Sequence, residues 1–154
     1  MRFGLKILSI IAVGSLLAGC AANATDTADE VIAPVPERFE NQIGVQLFLW
    51  SWNSIATECE FLGNAGIDWV VTSPPQEHIG GGAWWTVYQP VSYQIEGRLG
   101  SREEFANMTA SCAEHGVDII ADAVINHMTG QNSGVGSAGT RFTKYEYPGL
   151  YTRD

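Results

Sequence analysis

Residues 118–127 read Asp-Ile-Ile-Ala-Asp-Ala-Val-Ile-Asn-His, and how this stretch is read decides the fold. Ile119, Ile120, Ala121, Ala123, Val124 and Ile125 form a run with almost no polar alternation, the pattern of a parallel strand covered on both faces. The run closes on Asp122, Asn126 and His127, the groups in it that can ligate or hydrogen-bond. In barrels of parallel strands the chemistry sits at the carboxyl ends, so the stretch predicts a site where the strand runs out. The competing reading is a strand followed by an ordinary polar turn.

Working back from it, Ser101-Arg102-Glu103-Glu104 fits a capping box, in which Ser101 and Glu104 satisfy each other's free amides. Phe105, Met108 and Cys112 then mark one helical face, and Gly116 closes the helix. Earlier, Ile43 with Gly44-Val45-Gln46-Leu47-Phe48-Leu49-Trp50 reads as a first buried strand. Ile55, Cys59 and Leu62 recur at helical spacing, and Gly63 and Gly66 supply the stop. Residues 67–72, with Trp69, Val70 and Val71, form a second strand, which Ser73-Pro74-Pro75 ends. Between there and Ser101 lies a long loop with Gly80-Gly81-Gly82 and the aromatics Trp84, Trp85, Tyr88 and Tyr93. Strand, helix, strand, helix, strand predicts an α/β fold with right-handed crossovers and both helices on one side of a parallel sheet. Residues 128–154, with five glycines and no helical or strand period, read as the start of an irregular excursion.

At the other end, Met1 to Gly19 reads as an export signal: Arg2 and Lys6 are its basic start and residues 7–17 its apolar stretch, too short to span a bilayer as a helix. Leu17-Ala18-Gly19-Cys20 resembles the lipobox of bacterial lipoproteins, so Cys20 is expected to carry lipid and hold the chain to a membrane; a plain cleaved signal is the alternative. Residues 20–40 are acidic, rich in Ala, Thr and Pro, and read as a tether. Loss of Arg2 and Lys6 leaves six basic against seventeen acidic side chains, a formal −11, which argues against nucleic acid as a partner. With Cys20 lipidated, Cys59 and Cys112 remain in an exported chain, where an oxidised pair is the default and two buried thiols the alternative. No Gly-x-Gly-x-x-Gly or phosphate loop follows the first strand, and His78, His115 and His127 lack zinc-motif spacing.

Three stretches taken together resemble the α-amylase family of glycoside hydrolases, its animal-like and related bacterial branch in particular. They are Val45-Gln46-Leu47-Phe48-Leu49-Trp50 with Cys59; Ser73-Pro74-Pro75 leading to Trp84-Trp85-Thr86-Val87-Tyr88-Gln89-Pro90-Val91-Ser92-Tyr93; and Asp122-Ala123-Val124-Ile125-Asn126-His127. The resemblance implies endo-hydrolysis of α-1,4-glucosidic bonds in starch-like glucans on a (β/α)8 barrel, of which residues 41–127 would be the first three strands and two helices and residues 128–154 the start of an inserted subdomain. It matches Trp84, Trp85 and Tyr88 to an aromatic wall on which glucose rings stack, His127 to a residue hydrogen-bonding the sugar, and Asp122 to a buried carboxylate supporting the site. It matches Asn126 to a calcium ligand, and Cys59 with Cys112 to a disulfide. For the aromatic cluster the residues alone leave open a core plug beneath a long loop.

The departure from the family pattern is equally specific. Retaining glycosidases need two carboxyl groups about 5 to 5.5 Å apart, and the resemblance places the family's nucleophile, acid and third carboxylate after strands four, five and seven. The 154 residues fall short of the roughly 250 of a complete barrel. The expectation is therefore an N-terminal fragment with part of a sugar cleft, no catalytic residue and no activity alone, the remaining calcium ligands and any chloride site lying beyond Asp154. The alternatives are a starch-binding surface lipoprotein and a transglycosylating or branching member of the same family.

Overall fold

The computed structural model describes residues 42–152. The expected signal, lipidation site and tether lie outside the described residues. Five elements alternate as anticipated: β1 (Gly44–Leu47), α1 (Trp52–Asn64), β2 (Trp69–Thr72), then, after a hairpin, α2 (Arg102–Glu114) and β5 (Asp118–Ala121). The strands form a parallel sheet in the order β1-β2-β5, with Val45, Val70 and Ile119 in register.

Local chemistry explains both helices. Ser51 caps α1 by accepting from the Ser54 amide at 3.2 Å, and the predicted box at Ser101 is complete, with Glu104 N to Ser101 Oγ at 3.2 Å and Ser101 N to Glu104 Oε2 at 2.8 Å. Each helix ends on a glycine with positive φ, Gly66 at 79° and Gly116 at 74°, which lets Ile67 N reach Leu62 O and Val117 N reach Cys112 O. The inner faces, Trp52, Ile55, Cys59 and Leu62 of α1 and Met108 and Cys112 of α2, join Val70 and Val117 in one core. Trp52 packs edge-on to Phe105 at 5.1 Å, and Cys59 and Cys112 form a disulfide between the helices.

The structure corrects the strand boundaries. β1 spans four residues and leaves Phe48 and Trp50 exposed beyond it, and β2 begins at Trp69. The run from Ile119 to Ile125 is not one covered strand: pairing stops at Ala121, and Ile120 and Ile125 are exposed. The cause lies on the neighbouring strand. β2 stops at Thr72 opposite Ala121, and Pro74 and Pro75 follow it without amides to donate, so β5 has no ladder to continue. No strand pairs with β5 on its far side among the described residues, and Ile120 meets solvent because, in register with Val71 and Gln46, it alternates away from the helix-packed core that takes Val70 and Ile119.

Two segments read as irregular contain hairpins. β3 (Gln76–His78) pairs antiparallel with β4 (Pro90–Ile95), and β6 (Ser133–Val135) with β7 (Arg141–Thr143). Their strands are short, β3 carries a bulge, and no alternation marks them.

Candidate sugar-binding site

The aromatic residues sit on a single 3-10 turn, Trp84–Tyr88, at the tip of the β3/β4 hairpin. Thr86 and Val87 point into the protein, whereas Trp84 is 58% and Trp85 48% exposed, which rules out a core plug for the two indoles. Trp84 and Tyr88 pack edge to face with ring centres 6.3 Å apart. Phe48 completes the group, 6.0 Å from Trp84 and stacked on Tyr88 at 6.5 Å. Phe48 continues an apolar run in the sequence, but it lies just beyond the end of β1, where it turns toward the shelf. Trp85 makes none of the ring contacts found among the described residues.

The tips of all three parallel strands meet at Tyr88. After β1 the chain turns through Leu49, a non-glycine residue at φ 59°, whose amide donates to Ser73 Oγ at the tip of β2 at 2.9 Å. Such a backbone costs about 1 kcal/mol and persists where surroundings enforce it. The Tyr88 hydroxyl meets the same Ser73 and the half-buried Asp122, just past the tip of β5. Burial, then the Asp122 carboxylate to which the hydroxyl donates, push the Tyr88 phenol above its ordinary value, with Ser73 working the other way. The phenol therefore stays protonated and ties the shelf to the sheet.

His127, in the segment after β5, also reaches Tyr88. Its Nε2 donates to Tyr88 O at 3.0 Å, so a sugar hydroxyl would have to use Nδ1 or displace that bond. Gln89, also missed in the sequence, accepts from Gly130 N through Oε1 at 3.0 Å, and Thr129 N reaches Pro90 O at 2.9 Å. These bonds lace the segment after His127 to the shelf. Asn126 is exposed, and the described residues hold no group of three His, Cys, Asp or Glu able to bind a metal. Calcium takes six to eight oxygens, so one amide at Asn126 does not fit a complete site.

A buried network pins β3 to β4 in the hairpin that carries the shelf. Glu77 is fully enclosed; Ser92 Oγ donates to its Oε2 at 2.6 Å and the amides of Ala138 and Thr140 to its Oε1 at 3.0 Å each. A side chain on Gly136 would collide with this carboxylate, so glycine there permits the close approach. Burial pushes Glu77 up, but the hydrogen bonds from Ser92, Thr140 and Ala138 outweigh it and hold the carboxyl below its ordinary 4.5. A depressed folded pKa contributes stability that is complete above the unfolded value and lost as pH falls through the folded one. Glu77→Gln is therefore expected to cost about 2 kcal/mol at pH 7, since three hydrogen bonds to a buried carboxylate would become bonds to a neutral amide. The same variant should flatten the acid limb of stability below about pH 4.5, measured by urea unfolding across pH. An unchanged acid limb would refute this role.

The shelf is open surface. A cleft of about 460 Å³ lined by Phe142, Tyr147 and Tyr151 among others contains none of its residues.

No protein-family profile matches the chain. Individual relatives match strongly. An α-amylase from Streptomyces violaceus is 48% identical over 94% of this chain, and one from Thermomonospora curvata is 46% identical over 93%. The chain belongs to the α-amylase family. It spans about a quarter of the length of these curated relatives, 25% in both cases. Among solved structures, an Eisenia fetida α-amylase I in complex with maltohexaose superposes with a TM-score of 0.69 at 43% identity, covering 72% of this chain and 24% of that one.

Proposed function

We propose that this α-amylase-family chain forms the substrate side of an enzyme that cleaves internal α-1,4 bonds of starch-like glucans, as the first three β/α units of a (β/α)8 barrel. The observation that carries the reading is the convergence at Tyr88 of three strand tips beneath exposed aromatic rings. Flat π faces suit the C–H faces of pyranoses. In this reading Trp84, Trp85 and Tyr88 stack glucose rings, His127 hydrogen-bonds a sugar hydroxyl, and Asp122 holds Tyr88 in place. Asn126 supplies at most one oxygen toward a calcium ion completed by other residues. The structure of the Eisenia fetida relative with maltohexaose supports a glucan as ligand. Export and a lipid anchor at Cys20 belong to the same proposal, resting on the sequence of residues 1–20.

The chain itself binds without cutting. Bond cleavage needs a carboxyl pair, and Glu77 is sealed and fully occupied while Asp122 is engaged by Tyr88. The purified 154-residue chain is expected to release no reducing sugar from soluble starch above the blank while retaining affinity for maltohexaose. Measurable hydrolysis would overturn the assignment of roles.

A further inference from the structure

We propose that Arg98 is a positioning residue for the aromatic shelf, its guanidinium clasping the glycine-rich loop and the 3-10 turn into the shape that receives sugar. The proposal rests on the glucan-binding reading above for its functional half. Its structural half stands on geometry alone. Arg98 Nη1 lies 3.3 Å from Gly81 O, 3.0 Å from Ala83 O and 3.2 Å from Thr86 Oγ1. The Thr86 hydroxyl in turn donates to Ala83 O at 2.8 Å, so arginine, threonine and two carbonyls form one closed set of bonds at the start of the turn.

The need for such a clasp follows from the sequence. Gly80, Gly81 and Gly82 give the loop little preference for one conformation, and Gly81 sits at φ 127°, open to few residues but glycine. The 3-10 turn itself has no side-chain cap at Ala83. The loop carbonyls just before the turn, Gly81 O and Ala83 O, are held instead by one guanidinium nitrogen of Arg98.

The clasp is anchored in its turn. Arg98 N approaches Nε2 of buried His78 at 3.4 Å, and His78 Nδ1 donates to Ile79 O at 2.8 Å. Both ring nitrogens of His78 are thus engaged, which fixes the backbone of residue 98 against β3 while its side chain reaches over the loop.

The experiment uses the full 154-residue chain with Arg98→Met, which keeps the stem and removes the donors, and Arg98→Lys, which restores one cation. Amide hydrogen exchange of residues 80–89 is read without sugar, and maltohexaose affinity is read separately by tryptophan fluorescence. Arg98→Met is expected to speed exchange at Thr86 and Gln89 by about tenfold while α2 exchanges as before. Maltohexaose should bind about tenfold more weakly, with partial recovery in Arg98→Lys. Unchanged exchange in residues 80–89, or exchange raised equally in α2, would overturn the clasp. Should the unmutated chain bind no maltohexaose, the glucan reading falls and the exchange arm alone decides the clasp. If Arg98→Met fails to fold, Thr86→Val, which removes one acceptor of the set, is expected to give the same local effect, and its absence counts against the proposal.

Discussion

Replacing both bridged cysteines, Cys59→Ala with Cys112→Ala, is expected to lower the stability of the chain by about 4 kcal/mol, the largest single effect on folding we anticipate. The bridge joins residues 53 apart in sequence, so its loss frees a long loop in the unfolded chain. Both cysteines are fully buried in the core with Ile55, Met108 and Val70, and alanine avoids placing an unpaired hydroxyl there. Domains of this size have about 5 to 15 kcal/mol in total, so the loss is a large share. The sheet adds to the sensitivity: β5 has no further strand beside it among the described residues, and Ile120 and Ile125 already face water. In urea, the midpoint should fall by about 2 M relative to the oxidised chain. A shift under about 0.5 M would mean that packing between α1 and α2 suffices without the bridge.

The largest effect on binding is expected from Trp84→Ala with Trp85→Ala. Each ring contributes about 1 kcal/mol of stacking against a sugar face, so the pair should weaken maltohexaose affinity by about thirtyfold. Because both indoles project from the turn, with Thr86 and Val87 forming its buried side, the fold should survive the change. Phe61, another exposed aromatic on the outer face of α1, serves as control: Phe61→Ala should leave the affinity as it was. Equal losses from both variants would point to a nonspecific aromatic surface.

The parts of this architecture that were legible from sequence are those decided by near neighbours. The capping box is written in Ser101 and Glu104, and the inner helix faces in the spacing of Ile55, Cys59 and Leu62 and of Phe105, Met108 and Cys112. What distant residues decide was not legible. Val124 and Ile125 look like strand, yet pairing ends at Ala121 because the strand next door stops at Thr72, with Pro74 and Pro75 just beyond it. Phe48 looks like core because it continues an apolar run, and only the turn at Leu49, held by Ser73, delivers it to the shelf. Glu77 and Arg98 lie within the long loop before Ser101, where no near neighbour marks either, yet one is sealed by three donors and the other bridges two carbonyls and a hydroxyl. The family motifs did bring Trp84, Tyr88, Asp122 and His127 onto one short list, and the structure links Tyr88 directly to each of the other three.

If the strand tips carry the α-glucan shelf proposed above, its residues must answer to one ligand together. Titrating the isotopically labelled chain with maltohexaose, while following the indole signals of Trp84 and Trp85 and the ring signals of Tyr88 and His127, reads this out. All four are expected to move with a single dissociation constant. Signals that stay fixed, or that shift only around Phe142, Tyr147 and Tyr151, would contradict it.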